Sequence, residues 1–132
     1  MNKKDARILI VDDIEDNRYT LERSLKRDGY ENISLAECGK EALDLVNKSK
    51  FDLILLDLMM PVMNGFEFLK VIRETEFSNI PILVLTGADL SEEERKFLSG
   101  ETHKILQKSD DTLSTIVNEV GQVIKASSSK GV

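Results

Sequence analysis

The sequence predicts an α/β fold in which a parallel sheet is covered by helices on both faces. Three observations carry that expectation. The runs Ile8-Leu9-Ile10-Val11, Leu53-Ile54-Leu55-Leu56 and Ile82-Leu83-Val84-Leu85 are unbroken apolar stretches, the pattern of strands buried on both faces. Segments with helical spacing lie between the strand signals, so that five of each alternate as βα units. Each of the three runs ends in a polar residue, at Asp12-Asp13, Asp57 and Thr86. Periodicity leaves the order of strand pairing open.

Taken in order, Ile8 to Val11 is the first strand. A polar helical segment follows, with Asp16 expected as its N-cap, Leu21 and Leu25 on one face and Gly29 as its stop. Ile33 to Ala36 is the second strand, and Gly39 to Lys48 a helix with Ala42, Leu43 and Val46 spaced for burial. The central strand ends at Asp57; Pro61 and Asn64-Gly65 then break the chain before a helix from about Gly65 to Glu74, with Phe66, Leu69 and Ile72 inward. After the fourth strand, Ser91 and Glu94 form an S-x-x-E capping box for a helix expected to run to about Leu98 and to end at Gly100. His103 to Leu106 is a weaker strand, expected at an edge, with Lys108 just past it. The last helix begins near Asp110-Asp111 and buries Leu113, Ile116, Val117, Val120, Val123 and Ile124. This gives one domain over residues 1–126, with 127–132 as a flexible tail or linker because Ser127 to Gly131 has no periodicity.

Bulk properties narrow the function. A chain of 132 residues can bury a substantial core. Its formal charge of -6 argues against nucleic acid as a direct partner, because a phosphate backbone must be neutralised by a basic face. The single cysteine, Cys38, excludes an internal disulfide and fits a reducing compartment. The opening residues lack the apolar region of a signal peptide and no stretch is apolar enough for a bilayer, so the expected location is the cytoplasm, with no membrane partner.

In a parallel sheet all carboxyl ends lie on one rim, where open α/β folds bind ligands. Asp12, Asp13, Asp57, Thr86 and Lys108 are therefore expected to converge. Two carboxylates about 4 Å apart repel by roughly 4 kcal/mol at an effective dielectric of about 20, so three acids call for more positive charge than one lysine supplies. Oxygen ligands without His or Cys suit a hard divalent ion, Mg²⁺ before Ca²⁺. A carboxylate beside Mg²⁺ and an ammonium is equipped to receive a phosphoryl group, with Asp57 as nucleophile and the Thr86 hydroxyl bonding a phosphoryl oxygen.

From Ile8 to about Ile124 the chain closely resembles the receiver domain of two-component response regulators, on Asp12-Asp13, Asp57-Leu58-Met59-Met60-Pro61, Asn64-Gly65, Thr86 and Lys108. The resemblance implies a flavodoxin-like fold with strand order 2-1-3-4-5. It makes Asp57 the phosphoacceptor, Thr86 the switch hydroxyl and Lys108 the conserved lysine of the family. It gives Asp12 and Asp13 as the acidic pair that helps hold Mg²⁺, bound directly by Asp13, Asp57 and the carbonyl of Met59. The implied partner is a histidine kinase or a histidine phosphotransfer protein, and the chain reads as a stand-alone receiver or a module of a hybrid kinase.

Two positions depart from the family. Ile105 stands where receivers usually carry Tyr or Phe, which removes an aromatic relay and points to output through the Gly87 to Leu98 region by partner binding or self-association. Ser109 stands where proline with a cis bond is common; cis costs about 3 kcal/mol at a non-proline residue, so either a trans link or visible strain is expected. Among other functions, phosphatases of the haloacid dehalogenase class need a second acid two positions after the nucleophile, where this chain has Met59. Neither G-x-x-x-x-G-K-[ST] nor G-x-G-x-x-G occurs, which weighs against nucleotide-binding enzymes. A receiver used only for docking is the remaining alternative to a phosphoacceptor.

Overall fold

In the computed structural model, which describes residues 2–57, 65–74, 79–86, 90–101, 104–107 and 113–130, strands and helices alternate along the chain. The elements are β1 (Arg7–Val11), α1 (Glu15–Arg27), β2 (Asn32–Ala36), α2 (Gly39–Lys48), β3 (Leu53–Asp57), α3 (Gly65–Arg73), β4 (Ile82–Thr86), α4 (Glu92–Glu101), β5 (Lys104–Gln107) and α5 (Leu113–Lys130). All pairings are parallel, and the sheet order is β2-β1-β3-β4-β5, the flavodoxin-like (βα)5 arrangement.

The apolar runs fill both faces by strict alternation. Ile8, Ile10, Leu53, Leu55, Leu83 and Leu85 join Leu21 and Leu25 of α1 and Ile116, Val120, Val123 and Ile124 of α5 in one core. Leu9, Val11, Ile54, Leu56, Ile82 and Val84 join Ala42 and Val46 of α2, Phe68, Leu69 and Ile72 of α3, and Leu98 of α4 in the other. The start of β3 is tied to β1 by Asp52, whose backbone N–H donates to the Arg7 carbonyl at 2.8 Å and whose carboxylate accepts from the Arg7 N–H at 2.8 Å. This fixes the register Val11 to Leu56 at the far rim.

Several local expectations change. Helix α1 is capped at Ile14 with no side-chain cap, and Asp16 lies inside its first turn, where a carboxylate complements the helix dipole without capping it. The stop at Gly29 holds: its φ of 110° puts it in the left-handed region, its N–H donates to the Lys26 carbonyl and the Tyr30 N–H to the Leu25 carbonyl, a Schellman motif. In α3, Leu69 and Ile72 are buried as expected and Phe68 is buried as well, because the helix sits against α2 as well as the sheet; the side chain of Phe66 lies outside those described.

The capping box of α4 forms, with the Ser91 N–H donating to Glu94 Oε1 at 2.9 Å and the Glu94 N–H to Ser91 Oγ at 3.1 Å. Helix α4 runs through Gly100 to Glu101, since nothing forces a left-handed turn there. Strand β5 lies at an edge as expected, shifted one residue to Lys104–Gln107. Leu113 opens α5 but is 40% exposed, and the buried stripe starts one turn later at Ile116. The backbone of α5 continues through residues 127–130, the segment expected to be a flexible tail; serines lack apolar periodicity but are tolerated in a helix already nucleated by its buried stripe. No cis peptide bond occurs among the described residues, and Ser109 lies outside them.

Candidate functional site

Strand alternation and register build the rim. Ile10 of β1 and Leu55 of β3 are cross-strand partners in the core under α1 and α5. Two residues further along each strand stand Asp12 and Asp57, on the same face and next to each other. Asp13 follows just past the strand end, and the three carboxylates place ligand oxygens all within 4.8 Å of one another. Asp12 is 1% exposed and Asp57 5%, whereas Asp13 is exposed.

Burying carboxylates at this spacing demands hydrogen bonds or a cation. Asp12 Oδ1 accepts from the Ile14 N–H at 2.9 Å, and its Oδ2 lies 3.4 Å from the Asn17 side-chain amide. Asp57 has a partner of its own. The backbone beneath is braced by Arg18, a buried guanidinium that donates to the Asp12 carbonyl at 2.7 Å and pairs with Glu37 at 3.4 Å. Arg18 was missed by an apolar reading of the helix, yet it precedes Leu21 and Leu25 by three and seven positions and so shares their inward stripe. Three converging carboxylates and no nitrogen or sulfur donor form a set that fits a hard divalent cation.

Thr86 ends β4, wholly buried, one position beyond Leu85, the register partner of Asp57. Its own partner in β5 is Gln107, so the chain arrives at Lys108 from the adjacent strand; Lys108 itself, Met59, Gly87 and Ala88 lie outside the described residues. The structure thus brings together the three acids and sets Thr86 at the neighbouring strand end. A cavity of about 260 Å³ opens beside Asp12, walled by Asn17, Thr20, Leu85, Leu113 and Ile116. Ile105 is half-buried and packs against the core under α2, α3 and α4, on the side of Leu98. None of the helices is long and apolar enough to cross a membrane, among the described residues.

Comparison with known proteins agrees with this geometry. The response regulator receiver domain family model matches residues 8–118. Response regulator MprA of Mycolicibacterium vanbaalenii is 45% identical over 84 residues, which cover 64% of this chain and 36% of MprA. The uncharacterized transcriptional regulatory protein YrkP of Bacillus subtilis is 43% identical over 113 residues, 86% of this chain and 44% of YrkP. The chain therefore spans less than half the length of these curated relatives. Among solved structures, the Vibrio cholerae chemotaxis protein CheY4 superposes with a TM-score of 0.79 at 33% identity, covering 89% of this chain and 98% of CheY4. The response regulator TrrA of Thermotoga maritima, solved in complex with Mg²⁺-BeF, superposes with a TM-score of 0.76 at 30% identity and the same coverage of 89% and 98%. By sequence, strand order and rim geometry together, this chain belongs to the response regulator receiver domain family.

Proposed function

We propose that the chain accepts a phosphoryl group onto Asp57 from a phosphohistidine of a histidine kinase or histidine phosphotransfer protein, and that the modified domain changes its protein contacts in a phosphorelay. The observation that carries this reading is the clustering of Asp12, Asp13 and Asp57, with ligand oxygens within 4.8 Å at adjacent strand ends. The Mg²⁺-BeF complex of TrrA, a relative of the same fold, supports it.

In this reading a carboxylate oxygen of Asp57 attacks phosphorus. The new P–O bond forms as the P–N bond to the partner imidazole breaks, and the ring nitrogen leaves with the electron pair. Asp12, Asp13 and Asp57, with the Met59 carbonyl, would hold Mg²⁺, which supplies neutralisation of the charge on the transferring oxygens. Thr86 contributes a hydroxyl donor at the next strand end, and Lys108 an ammonium. Asp12, fixed by the Ile14 N–H, keeps its carboxylate turned into the cluster before any ion arrives.

The domain is a signalling module that assists its own phosphorylation and dephosphorylation. Residues 1–126 form the receiver. A net charge of -6 favours protein partners over nucleic acid, and the reducing environment suggested by a lone half-buried cysteine favours the cytoplasm. With Ile105 in place of a ring, output runs through α4 by partner binding or self-association.

Incubation with acetyl phosphate and Mg²⁺ is expected to add one acid-stable, base-labile phosphoryl group, read by intact mass. Asp57→Asn is expected to abolish the addition while leaving the circular dichroism spectrum unchanged. Failure of the wild-type chain both to take up phosphate and to bind beryllofluoride with Mg²⁺ would overturn the acceptor reading in favour of docking without phosphorylation.

A further inference from the structure

Because every strand pairs in parallel, the helices all run back across the sheet and begin at the rim that carries Asp57. Their dipoles favour acids at that end. Glu15, Asp16, Glu41 and Glu67 lie in the first turns of α1, α2 and α3, and α4 opens on Glu92-Glu93-Glu94. The rim is therefore acidic well beyond its three clustered carboxylates. Lys40, and further along α4 Arg95 and Lys96, are the exposed cations near it among the described residues, since Arg18 is buried and paired with Glu37.

The opposite edge, where β1, β2 and β3 begin, has the reverse sign. Lys4, Arg7, Arg27, Lys48 and Lys50 are exposed there, and none of their side chains is ion-paired with another described residue. Of the acids at this edge, Asp28 is taken by Lys3 Nζ at 2.9 Å and Asp52 accepts the Arg7 N–H at 2.8 Å, which leaves Asp5 and Glu31. Cations are thus in excess. A cleft of about 280 Å³ opens among them, lined by Arg7, Asn32, Ser34 and Ser49 with Glu31 at its wall. A guanidinium and two hydroxyls give it donors suited to a carboxylate side chain.

We infer that this basic edge docks on the acidic rim of a second copy, head to tail, with Arg27, Lys48 and Lys50 against the first-turn acids and the cleft at Arg7 taking one of their carboxylates. Both halves of the contact are present on every copy, which selects a second copy over a nucleic acid or an anionic lipid surface. The net charge of -6 does not forbid it. Screening acts over about 8 Å at physiological salt and a five-residue strand of roughly 17 Å separates the edges, so each edge responds to the surface it touches. Unlike surfaces meet, so the contact does not close under two-fold symmetry and copies add in a string. Docking covers Asp57. That self-association and phosphoryl transfer exclude one another rests on the acceptor reading; the contact itself does not.

The test is sedimentation velocity of the full chain, unphosphorylated and without Mg²⁺. The sedimentation coefficient is expected to rise with protein concentration in about 0.1 M NaCl and to stay at the monomer value in about 1 M, where the screening length falls from about 10 Å to about 3 Å. One variant reverses the basic edge, Lys48→Glu with Lys50→Glu, and another reverses part of the rim, Glu15→Lys with Asp16→Lys. Each alone is expected to remain monomeric. Mixed in equal amounts they retain one intact contact between them, so the mixture should form dimers and grow no further, which also shows that both variants are folded. A wild-type chain that stays monomeric, association that persists in high salt, either variant associating alone as the wild type does, or a mixture of variants with native circular dichroism that forms no dimers would overturn the inference. A monomeric wild-type chain that instead binds vesicles of phosphatidylserine in phosphatidylcholine, or duplex DNA, would assign the basic edge to that partner.

Discussion

The rim at Asp57 and the core around Tyr30 are two places in one small domain, and they handle buried polarity in opposite ways. At the rim, Asp12 is nearly inaccessible but has both carboxylate oxygens directed at donors, and Arg18 secures the carbonyl behind it. In the core under α1 and α5, Tyr30 is as deeply buried and its hydroxyl has nothing among the described residues to bond. The rim gathers three carboxylates within reach of one another; Tyr30 holds a buried donor with no acceptor among the described residues. Both arrangements are costly in isolation, and each specifies what would relieve it: a cation among the carboxylates, an acceptor at the phenol.

Substitutions separate the two regions by size of effect. The largest is expected at Arg18. Arg18→Met keeps much of the buried stem but strips two hydrogen bonds and leaves the Asp12 carbonyl wanting a donor, which should cost about 2 kcal/mol in urea unfolding and weaken Mg²⁺ binding through the displaced Asp12. An unchanged unfolding midpoint would mean that the rim is not braced from behind.

Next comes Asp13→Asn. It removes one of three clustered charges, so Mg²⁺ affinity by calorimetry should fall roughly tenfold or more while the melting temperature without Mg²⁺ rises. A lower melting temperature without metal would show that mutual repulsion among the acids is not what the ion relieves.

The smallest effect is expected at Tyr30→Phe. Deleting an unbonded hydroxyl should leave stability at pH 7 unchanged or raise it by up to about 1 kcal/mol. At high pH the two proteins should diverge. The folded phenol has its pKa raised above the unfolded value of 10.0, so the folded state holds the proton more tightly. Stability is fully present below pH 10 and falls as pH rises toward and through the folded value, a loss that Tyr30→Phe should not share. Destabilisation by the substitution at pH 7 would mean that the hydroxyl is already bonded, and the contrast with the rim would vanish.

The rim was largely legible in the sequence because its acids end strands whose apolar runs are unmistakable. Asp12 and Asp57 had only to be carried to the strand ends, and parallel pairing did the rest. The unsatisfied Tyr30 hydroxyl was not legible. Nothing local marks Tyr30 as lacking a partner, since hydrogen bonding is settled by tertiary contact. The same reason hid Arg18, whose charge disguised an inward position. Phe68 was missed because α3 is flanked by α2, which widens its buried face beyond what spacing alone suggests. Asp16 misled in the other direction: it has the residue type of a cap, but the chain leaves β1 through Asp12, whose carboxylate takes the first free N–H at Ile14 instead.

The two ends of α4 are unequally secured. Ser91 and Glu94 fasten its beginning reciprocally, and Glu92, Glu93 and Glu94 suit the positive pole; its far end carries Gly100 and an acid, Glu101, at the negative pole, with no basic residue in the last turn. Thermal fraying must therefore start at Glu101 and travel backwards, halting at Leu98, the buried anchor. Deuterium uptake should sweep along this helix from its carboxyl terminus, making α4 a ratchet that loosens from one side only.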